Sequence, residues 1–173
     1  EETDHCALWD FLIEKGQKYG MEFSSTRSMT IRRIEAGILG NLTDMDHTMT
    51  PFEAGLGKFV DLNKQSFVGK KQLIHSDKKT LLFGFTCSER TPSSGSVILE
   101  NNKPVGSITA GVQSPTLNCG IGYVRFKEGN DWVGKKLQIE FRDGFKASGE
   151  VVDLPFFDRE KLLLKGEKDQ SLT

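Results

Sequence analysis

Apolar positions in this chain follow two rhythms, and the change between them falls near residue 79. In the first half they recur at helical spacing. Trp9, Leu12 and Ile13 fall at i, i+3 and i+4 and make one stripe. Thr3 or Asp4 suits the start of that helix, and Gly16 or Gly20 its end. A second helix is expected over 28–39, with Ile31, Ile34 and Ile38 as its buried stripe and Ser28 as N-cap. Gly37 and Gly40 loosen its C-terminal end. Residues 41–49 are polar and read as a loop. Thr50-Pro51-Phe52-Glu53 has helix-start chemistry, a capping box with Pro at the first helical position. Gly55 and Gly57 stop it almost at once. A short strand is expected over 59–62 and a short helix over 69–74.

After Lys79 the rhythm becomes period two. Strands are expected over 81–86, 96–100, 103–109, 120–126, 136–142 and 145–153. Asn101-Asn102 and Asp143-Gly144 are hairpin signals. Six short strands with Gly-rich connections suggest a small antiparallel barrel. The expected organisation is therefore 1–78, 79–160 as the barrel, and a polar tail over 161–173. No internal repeat or low-complexity stretch interrupts it.

Composition removes several classes of function. The 173 residues are 36% hydrophobic and 27% charged, ordinary for a globular chain with a real core. A net charge of −1 lacks the basic excess of a nucleic-acid binder. No apolar run reaches the roughly 18 residues of a membrane span. The opening Glu1-Glu2-Thr3-Asp4 is not the basic start of a signal peptide, and the absence of an initiator Met suggests a processed or truncated product. Cys6, Cys87 and Cys119 are odd in number and form no CxxC pair, which favours a reduced, cytoplasmic setting. His5, His47 and His75 stand singly, without metal-ligand spacing.

One residue type is out of place in this pattern. Glu35 puts a carboxylate into an Ile-rich helix, with small residues Ala36 and Gly37 after it. A carboxylate there is costly unless something binds it. Its two oxygens can take two parallel hydrogen bonds from a planar N–H/NH2 edge. The alternative is pairing with Arg32 or Arg33 on a solvated face.

Arg33-Ile34-Glu35-Ala36 is followed by Thr50-Pro51-Phe52-Glu53-Ala54-Gly55-Leu56-Gly57. Further on come Phe67-Val68-Gly69-Lys70 and Val105-Gly106-Ser107-Ile108-Thr109-Ala110-Gly111. Ser114-Pro115-Thr116-Leu117 and Leu154-Pro155-Phe156-Phe157 complete the set. In this order the chain resembles the folate-dependent aminomethyltransferases typified by the T-protein of the glycine cleavage system. The resemblance runs from about Leu8 to Phe157 and implies an α+β remnant of a folate-binding domain followed by the barrel. It implies tetrahydrofolate as cofactor and one-carbon acceptor, with a one-carbon donor as second substrate. A lipoyl carrier protein, or the N-terminal half of the folate domain, is the implied protein partner.

Residue by residue, the resemblance gives Glu35 the pterin and Lys79 the acidic tail of folate, where the family usually has Arg. A lysine keeps the charge but loses the planar fork. Lys78 is adjacent and is the alternative, as is a plain linker role for both. Asn41 stands where many members carry a ligand-lining Tyr, so substrate and affinity are open at that position. Asp44 and Asp46 match, though loop solvation explains them equally. Ser114-Pro115 is either a structural turn or part of the ligand side. Arg159 is one residue away from a folate-proximal Arg of some relatives, which falls on Asp158. The family's catalytic Asp has no position here, so the expectation is a chain inactive on its own. The Ile31-Arg32-Arg33-Ile34-Glu35 lead-in is closer to dimethylsulfoniopropionate demethylases, which pass a methyl group to tetrahydrofolate. A non-catalytic folate-binding appendage of a methylglycine dehydrogenase is the remaining alternative.

Overall fold

The computed structural model describes residues 4–129, 131–163 and 165–167. Expectations for Thr3 and for the last six residues of the tail lie outside the described residues. The barrel is the centre of the molecule. Its strands are β1 (Leu82–Cys87), β2 (Val97–Glu100), β3 (Lys103–Ser114), β4 (Cys119–Phe126), β5 (Lys136–Glu140) and β6 (Lys146–Val152). They close in the order β1-β4-β3-β2-β5-β6, all neighbours antiparallel. Both expected hairpins form. Asn101 and Asn102 each take positive φ, as a two-residue turn matching strand twist requires.

The interior is filled by alternate side chains of all six strands, including Phe85, Ile98, Ile108, Val124, Ile139 and Val151. Trp132, from the β4–β5 connection, closes one end by stacking on Phe126 at 4.1 Å between ring centres. Its indole N–H donates to the Glu128 carbonyl at 3.1 Å, so the buried ring carries no orphan polar group.

β3 departs most from the sequence expectation. It runs five residues past Thr109, to Ser114. Ile108 pairs with Val124 and Ala110 with Tyr123, so Thr109 is an extra residue, a β-bulge. The bulge inverts the strand's facing. Ile108 points into the barrel, whereas Ala110 and Val112 belong to an outer cluster with Ile34, Ile121 and Tyr123. β4 is thus buried on both faces: Val124 and Phe126 inward, Ile121 and Tyr123 outward.

The outer cluster receives helix α2 (Thr26–Glu35). This helix starts after Ser25, two to three residues earlier than expected, and ends at Glu35. Ser28 lies inside its first turn, its hydroxyl donating to the Ser25 carbonyl at 2.7 Å. Ile34 is fully buried, but Ile38 is 59% exposed, because the helix ends before the next turn can bring it round. The ending is a Schellman motif. Gly37 donates to the Ile34 carbonyl at 3.0 Å and Ile38 to that of Arg33 at 2.8 Å. Gly37 sits at φ +69°, and the Pro155 backbone lies 3.0 Å from where a β-carbon would stand.

Helix α1 (His5–Gln17) is capped by Asp4, whose carboxylate accepts from Ala7 N–H at 3.1 Å. None of its residues is buried. The capping box at Thr50 and Glu53 forms, with hydrogen bonds of 2.7 and 3.2 Å, yet the chain continues only as turns because Gly55 takes φ +73°. The strand expected over 59–62 is absent: a 3-10 turn, Gly57–Phe59, stands there, its residues hydrogen-bonding locally rather than to a neighbouring strand. Helix α3 (Lys70–His75) matches the last helical expectation. No helix among the described residues is long and apolar enough to cross a membrane.

Candidate functional site

The end of α2 is where chemistry-bearing side chains meet the barrel. Glu35 is its last residue and is 5% exposed. Its carboxylate does not pair with Arg32 or Arg33. Instead Oε1 accepts from the Ser114 hydroxyl at 2.5 Å, at the far end of β3. Oε2 takes no hydrogen bond from any described residue. No sealed side-chain oxygen or nitrogen among those residues lacks a partner, so Oε2 opens to the surface.

Arg33 is committed elsewhere. Its Nη1 donates to Asp44 Oδ2 at 2.9 Å and to the Ile38 carbonyl at 3.1 Å. Asp44, expected in a solvated loop, is 1% exposed. It also accepts from Gly40 N–H at 2.7 Å and from the Thr109 hydroxyl at 2.7 Å. The bulge aims Thr109 at this carboxylate. Three donors, one of them cationic, make its burial tolerable.

Tyr123, fully buried on β4, completes the attachment. Its hydroxyl lies 3.1 Å from the Ile38 carbonyl and 3.3 Å from those of Arg33 and Ile34, to which its single proton can be donated. Burial, reinforced by the nearby Asp44 charge, pushes the phenol well above its ordinary value. Further round the barrel, Arg125 meets Asp46 at 3.3 Å. The Thr48 hydroxyl and backbone hold the Asp46 carboxyl below its usual range.

After the helix end, Ala36 and Gly37 begin the lining of a cavity of about 450 Å³, whose lining residues do not include Glu35 or Ser114. Leu39, Met45, Leu82, Phe83 and Leu154 give it an apolar wall. Lys58, Arg159 and Lys161 supply positive charge, and Asp153, 3.7 Å from Arg159, supplies a negative one. Phe157 N–H donates to the Glu35 carbonyl at 3.1 Å, which ties the segment after β6 to the same helix end. An apolar wall with cationic groups suits a partly apolar ligand with an anionic tail.

Of the residues singled out from sequence, Arg159 lines that cavity, whereas Glu35, Lys79, Lys78, Asn41 and Asp158 do not. Lys79 is exposed, and its side chain lies along Gly129 of the β4–β5 connection. Lys78 donates to the carbonyls of Leu73, Ile74 and Ser76, closing the end of α3. Asn41 is exposed and bridges to Met45 in the loop. Asp158 accepts from Leu162 and Leu163 N–H groups and caps a turn. Sequence reading missed Ser114 as Glu35's partner and Asp44 as a buried group. The one signal for the first was the Ser-Pro step, and for the second an Arg in the preceding helix.

All three cysteines are free. Burial, with a smaller contribution from Cys87, raises the Cys119 thiol, the opposite of what a reactive thiolate needs. No three His, Cys, Asp or Glu residues among those described are grouped to hold a metal ion.

Two family models match in succession. The GCVT N-terminal domain matches residues 1–64, and the glycine cleavage T-protein C-terminal barrel domain matches 81–158. The chain belongs to the glycine cleavage T-protein family. An aminomethyltransferase of Halothermothrix orenii is 36% identical over 155 residues, 86% of this chain and 43% of that relative. One of Alkaliphilus oremlandii is 33% identical over 157 residues, 88% of this chain and 42% of the relative. A probable aminomethyltransferase of Pyrococcus furiosus is 32% identical, covering 89% and 42%. The chain thus spans under half the length of these curated relatives. The fold matches the crystal structure of glycine cleavage system aminomethyltransferase T from Bartonella henselae with a TM-score of 0.72, over 88% of this chain and 43% of that one, at 24% identity.

Proposed function

We propose that this chain takes part in tetrahydrofolate-dependent one-carbon transfer of the aminomethyltransferase kind, and that its share is recognition of the folate. The observation that carries this is Glu35: a buried carboxylate with one oxygen held by Ser114 and the other without a partner, on the helix whose next residues, Ala36 and Gly37, line a cavity with an apolar wall and cationic side chains. Glu35 accepts the N–H and NH2 of the pterin. The apolar wall receives the body of the molecule, and cationic groups meet its acidic tail. Tetrahydrofolate, when bound, supplies the nitrogen nucleophile that accepts the one-carbon unit; the protein's part is binding and orientation. The donor reaches it on a carrier, for which a lipoyl-bearing protein is the proposed partner. The division at residue 79, between the folate segment and the barrel, belongs to the same proposal.

Sequence assigns the tail to Lys79 or Lys78 and a place near the ligand to Asn41, whereas Arg159, Lys161 and Lys58 are the cations lining the cavity. Calorimetric titration of tetrahydrofolate into the chain and into Glu35→Ala tests the central assignment. Saturable binding that the variant loses supports it. Equal binding by both removes Glu35 from the pterin. Lys79→Ala and Arg159→Ala, compared with a triglutamylated folate, decide which cation meets the tail.

A further inference from the structure

We infer that Ser114 is the positioning residue that aims the Glu35 carboxylate at its ligand, an inference that rests on the folate reading above. The torsion that turns a glutamate carboxylate about its last bond is broad and weakly restrained. A carboxylate that rotates freely presents its two oxygens to a planar N–H/NH2 edge only part of the time. In this chain the Ser114 hydroxyl fixes that plane through Oε1 at 2.5 Å.

The hydroxyl is itself fixed. Its oxygen accepts Leu117 N–H at 3.0 Å, across the Ser114-Pro115-Thr116-Leu117 turn. A serine hydroxyl has one proton and rotates to suit its surroundings. With an acceptor lone pair taken by Leu117, the proton is directed at Glu35. Ser114 is fully buried, so water does not compete for either bond. Oε1 keeps one lone pair and Oε2 keeps both, which is what a two-donor edge needs. The Ser-Pro turn is therefore both a turn and a support for the binding group, delivered to α2 by the bulge that inverts β3 at Thr109.

The test uses the whole chain and two ligands, 5-formyltetrahydrofolate, which resists oxidation, and its 2-desamino-2-methyl analogue, which lacks one donor of the edge. Wild type is expected to prefer the natural pterin strongly. Ser114→Ala is expected to weaken binding of the natural pterin about tenfold or more, while changing the analogue little, so that the preference shrinks. A serine that only shapes the turn would weaken both ligands equally and leave the preference intact, which overturns the inference; so does unchanged binding of both. If the alanine variant does not fold, Ser114→Thr and Ser114→Cys give the same comparison. Threonine keeps a strong donor and must keep the preference, whereas cysteine must lose it. Glu35→Gln separates the two levels. If Glu35→Gln loses the preference and the Ser114 variants retain it, the positioning role falls and the folate reading stands. If Glu35→Gln binds like wild type, or wild type binds neither ligand, the folate reading falls and takes the positioning role with it.

Discussion

Asp44 shows how far a single side chain can depart from what its neighbours in sequence suggest. It sits in a polar loop, yet it is buried and joins Arg33, Gly40 and Thr109. Asp44→Ala would strand an arginine, a backbone N–H and a hydroxyl at once. The expected loss is about 3–5 kcal/mol in urea unfolding, the range for breaking a buried pair from one side. Tyr123 makes a pH prediction. The folded state holds its proton above the ordinary value of 10.0, whereas the unfolded chain releases it there. Its contribution to stability is therefore complete at neutral pH and declines as pH rises above about 10. Melting temperatures of wild type and Tyr123→Phe, followed from pH 7 to 11, should converge at the alkaline end. A parallel decline in both would show that another group controls alkaline unfolding.

At the scale of elements, the end of α2 depends on a glycine in a left-handed conformation. Gly37→Ala meets both the φ of +69° and the Pro155 backbone at 3.0 Å. A loss of about 2 kcal/mol is expected, the left-handed cost plus the contact; thermal unfolding checks it. Because Glu35 lies two residues earlier, folate affinity should fall with stability. A variant that loses neither would show that the segment after β6 adjusts. All six strands were legible from period-two runs and from turns such as Asn101-Asn102, since local backbone chemistry sets both. The second half of β3 was not legible. Its Thr109-Ala110-Gly111-Val112 run has no clear alternation, because the bulge breaks the parity on which that reading depends. The short strand over 59–62 was misread because an apolar run alone does not supply a pairing partner. Glu35 was legible because a carboxylate in an apolar helix is conspicuous. Ser114 and Asp44 were not, since their decisive partners lie 79 and 65 residues away in sequence.

Across the whole molecule, stability is unevenly spread. The barrel holds the large core, α2 is fastened to it by the outer cluster and the polar bonds of Glu35, Asp44 and Tyr123, and α1 buries none of its residues. Leu8, Trp9, Phe11 and Leu12 are each about half exposed, and Trp9 touches Phe23 edge-on at 5.5 Å. Hydrogen exchange should follow this order, with α1 amides exchanging fastest and those of β1 and β4 slowest by several orders of magnitude. Comparable protection in α1 would mean that its apolar stripe is covered in solution. The closure of β6 onto β1 bears on how such covering can happen. A sheet with no free margin offers no row of backbone groups to a visiting strand. Growth by strand addition, the common route from small β domains to fibrils, is blocked at the barrel. Whatever assembles with the barrel must therefore meet its side chains or loops rather than extend its sheet.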